Sequence, residues 1–203
     1  DEQAMVTGVT IGSSDELDSN FTKQQERITK KFRIIFSKEL NSEPARIKPM
    51  QLVVDEDQWQ ARENRRPSRI QSTLKAREVL EQCDSMLKKL VIGDSEATAF
   101  SQVLLTLKPN GSWRFCIDFR RLNSVTKDYK WPLPRIKEMI ERIGSKKAKY
   151  FAILDLTKGY YQAPLDEKSR PYTAFITQNG LYEWHRVPMG LKGACGYFQH
   201  AMC

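Results

Sequence analysis

The stretch FAILDLTKGYYQAPLDEKSRPYTAFIT, residues 151–177, decides how this chain folds. It opens with an apolar run that ends at Asp155, which is typical of a strand buried on both faces. Gly159, Tyr160 and Tyr161 follow, and the stretch closes on β-prone residues. A carboxylate at the end of a core strand is costly unless a cation meets it, so Asp155 is a candidate ligand for a hard divalent metal ion. The alternative is that it caps the following turn.

Two hairpins flank this stretch. Asn110-Gly111 separates the β-prone runs FSQVLLTLK and WRFCIDF, and Asn179-Gly180 separates TAFIT from LYEWHRV. Asn-Gly between such runs is a strong hairpin signal. Asn110-Gly111-Ser112 also matches a glycosylation acceptor, but the turn is the preferred interpretation.

Helices are predicted on both sides of the first hairpin. Apolar residues recur at helical spacing from Phe21 to Phe36, and again over 72–91, where Gly93 is the expected stop. The run WPLPRIKEMIERIG, residues 131–144, predicts a third helix with one apolar face and Gly144 just beyond its end. Another helix begins in the last ten residues. This order predicts an α+β fold with an antiparallel sheet and flanking helices.

Charge and composition narrow the function. The net charge of the 203 residues is +8, but residues 1–20 hold five acidic residues and no Lys or Arg. The remainder is therefore strongly basic, which favours a polyanionic partner such as nucleic acid, with a merely solvated surface as the alternative. No apolar run is long enough for a membrane span. The four cysteines have irregular spacing, so they are interpreted as reduced thiols of an intracellular protein, cytoplasmic or nuclear.

A family resemblance rests on four collinear runs, which are WRFCIDFRRLNSVT (113–126), WPLPRIKEMIERIG (131–144), residues 151–177 and GLYEWHRVPMGLKGACGYFQHAM (180–202). They resemble reverse transcriptases of gypsy-class LTR retrotransposons. The resemblance implies the fingers and early palm of a right-hand polymerase. Its implied division is an acidic leader (1–20), an N-terminal helical and linker region (21–95), fingers (96–127), palm with the first catalytic aspartate (128–162), fingers return (163–193) and the start of a palm helix (194–203).

The resemblance also implies roles for single residues. Asp155 falls on the first catalytic aspartate, a metal ligand, and the backbone of Leu156 would lie beside the same metal ions. Tyr160 falls on the aromatic steric gate that rejects a ribose 2′-hydroxyl. Arg114 falls on the arginine that grips the incoming triphosphate, and Lys108 lies near the lysine that assists it.

Further positions follow from the same resemblance. Met189 and Gly190 lie on the segment that lines the nucleotide pocket, where the family often has Phe or Gln at the position of Met189. Asp118, Arg120 and Asn123 are expected to brace the fingers and guide the template. Cys195 stands where the family commonly has Pro. Residues 1–20 are interpreted as either the tail of an upstream protease or a disordered linker.

The implied function is that of a fragment of an RNA-directed DNA polymerase from a retrotransposon polyprotein. In the complete enzyme, two-metal nucleotidyl transfer would use Mg²⁺ or Mn²⁺, an RNA or DNA primer–template and dNTP. The family's aromatic-x-Asp-Asp pair is expected beyond residue 203, so this chain alone is expected to hold metal poorly, to be inactive, and to expose apolar palm surface to a protein partner. The alternative is a domesticated or degenerate fragment, acting as a non-catalytic nucleic-acid-binding or structural subunit.

Overall fold

The computed structural model describes residues 6–12, 19–132, 134–146 and 151–203. The strands are β1 (Val6–Gly12), β2 (Ile92–Asp94), β3 (Ser101–Leu107), β4 (Trp113–Ile117), β5 (Phe151–Leu156), β6 (Phe175–Ile176) and β7 (Leu181–Trp184). The helices are α1 (Ser19–Lys31), α2 (Glu56–Trp59), α3 (Thr73–Lys88), α4 (Arg120–Val125), α5 (Ile136–Ser145), α6 (Gly159–Gln162) and α7 (Ala194–Ala201). The five acidic residues of the predicted leader lie outside the described residues.

The chain divides into two compact units, and each is described by itself. The smaller unit comprises Asp1–Asn41 and Pro132–Gly159, and the larger unit comprises Ser42–Trp131 and Tyr160–Cys203. Within the described ranges, none of the helices has the length and apolarity needed to cross a bilayer.

The larger unit is built on a five-stranded sheet with the order β2-β7-β6-β3-β4. Both predicted hairpins are present, as the antiparallel pairs β3–β4 and β6–β7. The α+β class is confirmed, but the sheet is mixed because β3 and β6 pair in parallel, with Ser101 opposite Phe175. The long connection between these two strands permits the parallel pairing, which a tight turn does not.

Aromatic side chains form the centre of the larger unit. Trp59, Phe175 and Trp184 are each at most 1% exposed. The Phe175 ring lies 5.7 Å from that of Phe115 and 5.8 Å from that of Tyr182, measured between centroids. Each buried ring of this size contributes about 2–3 kcal/mol through removal of apolar surface from water. The sheet is therefore held on a dense core.

Helix α3 follows its predicted pattern but ends earlier than expected. Its buried side chains include Val79, Cys83 and Met86. Leu90 has a φ of +52°, and the Val91 amide donates to the Met86 carbonyl at 2.9 Å. A residue in the left-handed region with such a hydrogen bond is a common way for an α-helix to end. The expectation that Gly93 stops the helix is wrong.

Gly93 lies instead in β2, where it meets the side chain of His185. A Cβ atom at Gly93 would lie 2.5 Å from two atoms of the His185 ring. The glycine is therefore required by close packing rather than by a helix end.

The smaller unit is thinly packed. Strand β5 pairs with β1 in an antiparallel arrangement, with Leu154 opposite Val9. Ile153 and Leu154 are 66% and 61% exposed. The prediction of a strand buried on both faces is wrong, because β1 is the strand that pairs with β5 among the described residues, and a two-stranded ribbon has no layer to cover its side chains.

Helix α5, like β5, leaves its apolar side chains exposed. It forms where it was predicted, although it runs through Gly144 to Ser145. Its apolar face is solvent-exposed, with Ile136 70% and Ile140 64% accessible. The expected exposure of apolar surface is therefore observed on both β5 and α5.

Candidate functional site

Asp155 lies on β5 directly before the last residue of the strand, and its side chain is exposed. Its register partner is Gly8, and Leu156 is opposite Val6, so the irregularity between Val6 and Gly8 falls at this pair. The end of the strand is fixed by the next residue. Thr157 is buried and donates its hydroxyl to the Ser37 carbonyl at 2.6 Å.

The donor set around Asp155 does not fit a complete two-metal centre. Mg²⁺ prefers about six oxygen ligands in octahedral geometry, and two-metal sites rely on several converging carboxylates. The parts of the chain that the structure describes contain no group of three His, Cys, Asp or Glu side chains that could hold a metal ion. The Asp155 carboxylate and the Leu156 carbonyl, predicted to be metal ligands, would need further oxygen donors to complete such a centre.

Tyr160 lies in the larger unit, on the single-turn helix α6. Its hydroxyl is 3.2 Å from Cys195 Sγ, within hydrogen-bonding reach. Its ring centroid is 5.1 Å from that of Phe198, and both contacts come from the same helix, α7. The hydrogen bond with Cys195, followed by burial, raises the pKa of Tyr160 to about 12. The ring is therefore held in one place by two neighbours.

The loop at Met189 and Gly190, which was predicted to line the nucleotide pocket, is held in place by side-chain hydrogen bonds. Gly190 has a φ of +90°, which favours glycine. Asn123 donates its side-chain amide to the Gly190 carbonyl at 2.8 Å, and its Oδ1 accepts from the Lys192 backbone N–H at 2.8 Å. Met189 projects from the fastened loop with 59% of its surface exposed. Asn123 therefore holds this loop through two side-chain hydrogen bonds.

Lys192 also holds this loop in place. The sequence did not predict its role. Its ammonium group donates to the Thr126 carbonyl at 2.8 Å and lies 3.2 Å from Asp128. A lysine in a Gly-rich run has no pattern that marks it, because its partners lie more than sixty residues earlier in the chain.

The hairpin β3–β4 carries Lys108 and Arg114. The Lys108 amide donates to the Ser112 carbonyl at 2.8 Å, and Gly111 takes a φ of +80° in the turn. Arg114 is exposed on β4 opposite Thr106. The guanidinium and the ammonium group can therefore meet an anionic ligand, with Arg giving forked contacts and Lys a point charge.

A cavity of about 710 Å³ lies beside this hairpin's base and is lined by arginines. Arg120 donates twice to the Asp118 carboxylate, at 2.8 and 2.7 Å, and Arg69 lies 3.7 Å from it. The hydrogen bonds from Arg120, the largest cause, keep the pKa of Asp118 below its ordinary value. Arg66 and Arg121 also line the cavity.

Arg66 and Arg69 were missed because their stretch was interpreted as a linker. Gln102 holds that stretch against β3: its side-chain amide donates to the Arg66 carbonyl at 3.1 Å, and its Oε1 accepts from the Arg69 amide at 3.1 Å. The sequence signal that was available is the density of arginines over residues 62–69.

Comparison with known proteins matches this chain to one family. Residues 106–203 match the family described as reverse transcriptase (RNA-dependent DNA polymerase). The retrovirus-related Pol polyprotein from transposon 412 of Drosophila melanogaster is 36% identical over 191 residues, which are 90% of this chain and 15% of that relative. The Pol polyprotein from transposon gypsy of the same species is 42% identical over 93 residues, or 46% of this chain and 9% of that relative.

A solved structure shows the same fold. The foamy viral protease–reverse transcriptase in complex with an RNA/DNA hybrid superposes with a TM-score of 0.67 at 17% identity, over 92% of this chain and 25% of that one. The chain therefore spans a small part of the length of each relative. The reverse transcriptase fold expected from the resemblance is confirmed.

Proposed function

Because this chain belongs to the reverse transcriptase family, as a segment of the kind found in LTR-retrotransposon Pol polyproteins, we propose that it supplies the primer–template and nucleotide-binding surfaces of an RNA-directed DNA polymerase. In this proposal the fingers comprise residues 96–127 and 163–193, and the early palm comprises residues 128–162. The observation that carries it is the fastening of the Met189-Gly190 loop by Asn123.

The larger unit provides the chemistry that nucleotide binding requires. A loop held by two hydrogen bonds at 2.8 Å is pre-organised, so little entropy is lost when a ligand packs on it. The exposed Arg114 and the half-buried Lys108 would meet the triphosphate, and the ring of Tyr160 would lie against the sugar. Because a rigid ring leaves no room for a 2′-hydroxyl, such a contact selects dNTP over ribonucleotides.

The arginine-lined cavity is proposed to accept the template strand. Phosphate groups are met by Arg and Lys without regard to sequence, which suits a polymerase that copies any template. Asp118 holds Arg120 and Arg69 in place, as its contacts with both guanidinium groups indicate. The complex of the foamy viral relative with an RNA/DNA hybrid supports a polynucleotide of this kind as the partner.

In the complete polymerase, Asp155 and the backbone of Leu156 would hold Mg²⁺ or Mn²⁺ together with carboxylates that the described residues do not supply. The metal ions would stabilise the charge on the transferred phosphoryl group.

Reduced cysteines and polynucleotide substrates favour an intracellular setting, cytoplasmic or nuclear. The comparisons do not favour the alternative of a non-catalytic subunit, since the relatives are Pol polyproteins.

Primer–template binding tests this proposal. The affinity of the chain for a labelled RNA–DNA primer–template should fall steeply between about 50 and 200 mM salt, with a log–log slope near −0.9 for each phosphate neutralised. Arg120→Ala should weaken binding about fivefold or more and make this slope shallower. Arg77→Ala is the matched control, because Arg77 is an exposed arginine paired with Glu81 on α3.

Two results would contradict the proposal. One is wild-type affinity that does not change with salt, because phosphate contacts release counterions on binding. The other is an equal loss of affinity in Arg120→Ala and Arg77→Ala, which would indicate a diffuse effect of positive charge rather than a template channel.

A further inference from the structure

The hydroxyl of Tyr160 has a side-chain partner at position 195. Cys195 Sγ lies 3.2 Å from the Tyr160 oxygen. Tyr160 sits on α6 and Cys195 on the first turn of α7, so this contact joins two helices that are 35 residues apart in the chain. A proline or alanine at position 195 has no side-chain atom that can make the bond.

A second contact from α7 acts on the same ring. The centroids of Tyr160 and Phe198 are 5.1 Å apart with a tilt of 49°. Aromatic pairs at such distances attract one another beyond the effect of the area they bury. Cys195 therefore fixes the tip of the Tyr160 side chain, and Phe198 fixes its face.

We propose that Cys195 and Phe198 are positioning residues for Tyr160, which set how strongly this chain prefers a deoxyribonucleotide to a ribonucleotide. The inference rests on the proposed function, in which Tyr160 meets the sugar. A ring held at both tip and face cannot swing away from a 2′-hydroxyl. When one of the two contacts is lost, the ring gains rotational freedom and the penalty on the ribonucleotide falls.

The position of Tyr160 has a spectroscopic readout that does not depend on nucleotide binding. A hydrogen bond that favours the neutral phenol delays its ionisation, in line with the raised pKa of Tyr160. In an ultraviolet pH titration, with Tyr160→Phe used to assign the signal, Cys195→Ala should move the Tyr160 transition toward the ordinary tyrosine pKa of about 10. Cys195→Ser retains a hydrogen-bonding group and should keep the transition high. Cys203→Ala is the matched control, since Cys203 is an exposed cysteine that contacts Gln199 instead.

The second readout is nucleotide preference. dATP and ATP are competed against a fluorescent dATP analogue on the chain bound to primer–template with Mg²⁺. The wild-type chain should prefer dATP. Cys195→Ala and Phe198→Ala should each reduce that preference about fivefold, the ratio that corresponds to one lost interaction of about 1 kcal/mol. Cys195→Ser should restore most of it, and Cys203→Ala should leave it unchanged.

The outcomes separate the inference from the function on which it rests. A wild-type preference for dATP that survives in both Cys195→Ala and Phe198→Ala overturns the inference and leaves the proposed function intact. A Tyr160 transition that does not move in Cys195→Ala also overturns it. A wild-type chain that shows no preference contradicts the sugar contact of Tyr160, and both proposals then fail together.

Discussion

The two units of this chain treat their apolar residues in opposite ways. In the larger unit, Ile92 and Phe175 are buried to 1% exposure or less within a five-stranded sheet. In the smaller unit, Ile153 on β5 is 66% exposed, and strand β5 pairs with β1 in a two-stranded ribbon. The residues proposed to bind nucleotide and template lie in the larger unit, and Asp155 lies in the smaller unit. The residues proposed to bind nucleotide therefore lie in a densely packed unit, whereas the strand proposed to bind metal is sparsely packed.

The functions proposed for the two units also have different requirements. Nucleotide and template contacts depend on side chains that are fixed by neighbours in the same unit, such as Asn123 and Gly190. A metal centre depends on several carboxylates at once, and the loss of one member removes most of the function. Binding should therefore tolerate the sparse packing around β5, whereas catalysis should not.

The largest expected effect comes from a matched pair of isoleucines on strands of the two units. Ile92→Ala should lower the free energy of unfolding by about 3 kcal/mol, because it removes a buried side chain and leaves a cavity. Ile153→Ala should change it by less than about 0.5 kcal/mol, since the side chain is already solvated. Urea unfolding followed by circular dichroism measures both. Equal losses would show that β5 is covered in solution and would remove the contrast between the units.

A smaller effect is expected at Asn123, whose contacts are visible only in the structure. Asn123→Ala should cost about 2 kcal/mol, since it leaves the Gly190 carbonyl and the Lys192 amide without their partners. Nucleotide affinity should fall with it. Asn123→Asp keeps the acceptor for Lys192 and loses the donor to Gly190, so its loss should be intermediate. If Asn123→Ala were as stable as the wild type, the loop would not depend on this clamp.

The hairpins and helix α3 could be predicted because their signals are local. Asn110-Gly111 specifies a turn through the left-handed φ that Gly111 adopts, and the stripe of α3 repeats every turn. The same reasoning assigned burial to β5 from its apolar run alone. The prediction of burial was wrong because an apolar run shows only that a strand is able to pack against other elements. Among the described residues, β5 has one paired strand and no covering layer.

The site shows the same limit. Asn123 meets Gly190 across 67 positions, and Tyr160 meets Cys195 across 35. Such pairs follow from how the helices and loops pack, and no periodicity in one sequence marks them. Tyr160, Arg114 and Asp155 are predicted site residues because the family resemblance points to them, whereas the contact of Tyr160 with Cys195 comes from the structure.

The smallest expected effect is on the pH dependence of stability. The pKa of Asp118 is lowered in the folded chain, chiefly by hydrogen bonds from Arg120. Its stabilising contribution is therefore present above the ordinary carboxyl pKa of about 4 and is lost as the pH falls through the lowered folded-state value. Asp118→Asn should flatten the decline of stability on the acid side and leave its slope near neutral pH unchanged. An unchanged acid limb in a urea-midpoint series would show that the Arg120 pairing adds nothing.

We propose that this chain holds binding surfaces of a reverse transcriptase, and its described residues do not complete a metal centre. The most direct test measures primer–template binding and primer extension on the same samples, with Mg²⁺ or Mn²⁺, for the wild-type chain and Asp155→Ala. We expect both proteins to bind the primer–template with the same affinity and neither to extend the primer. Extension by the wild-type chain that is lost in Asp155→Ala would contradict it, because Asp155 would then belong to a metal centre that this chain completes by itself.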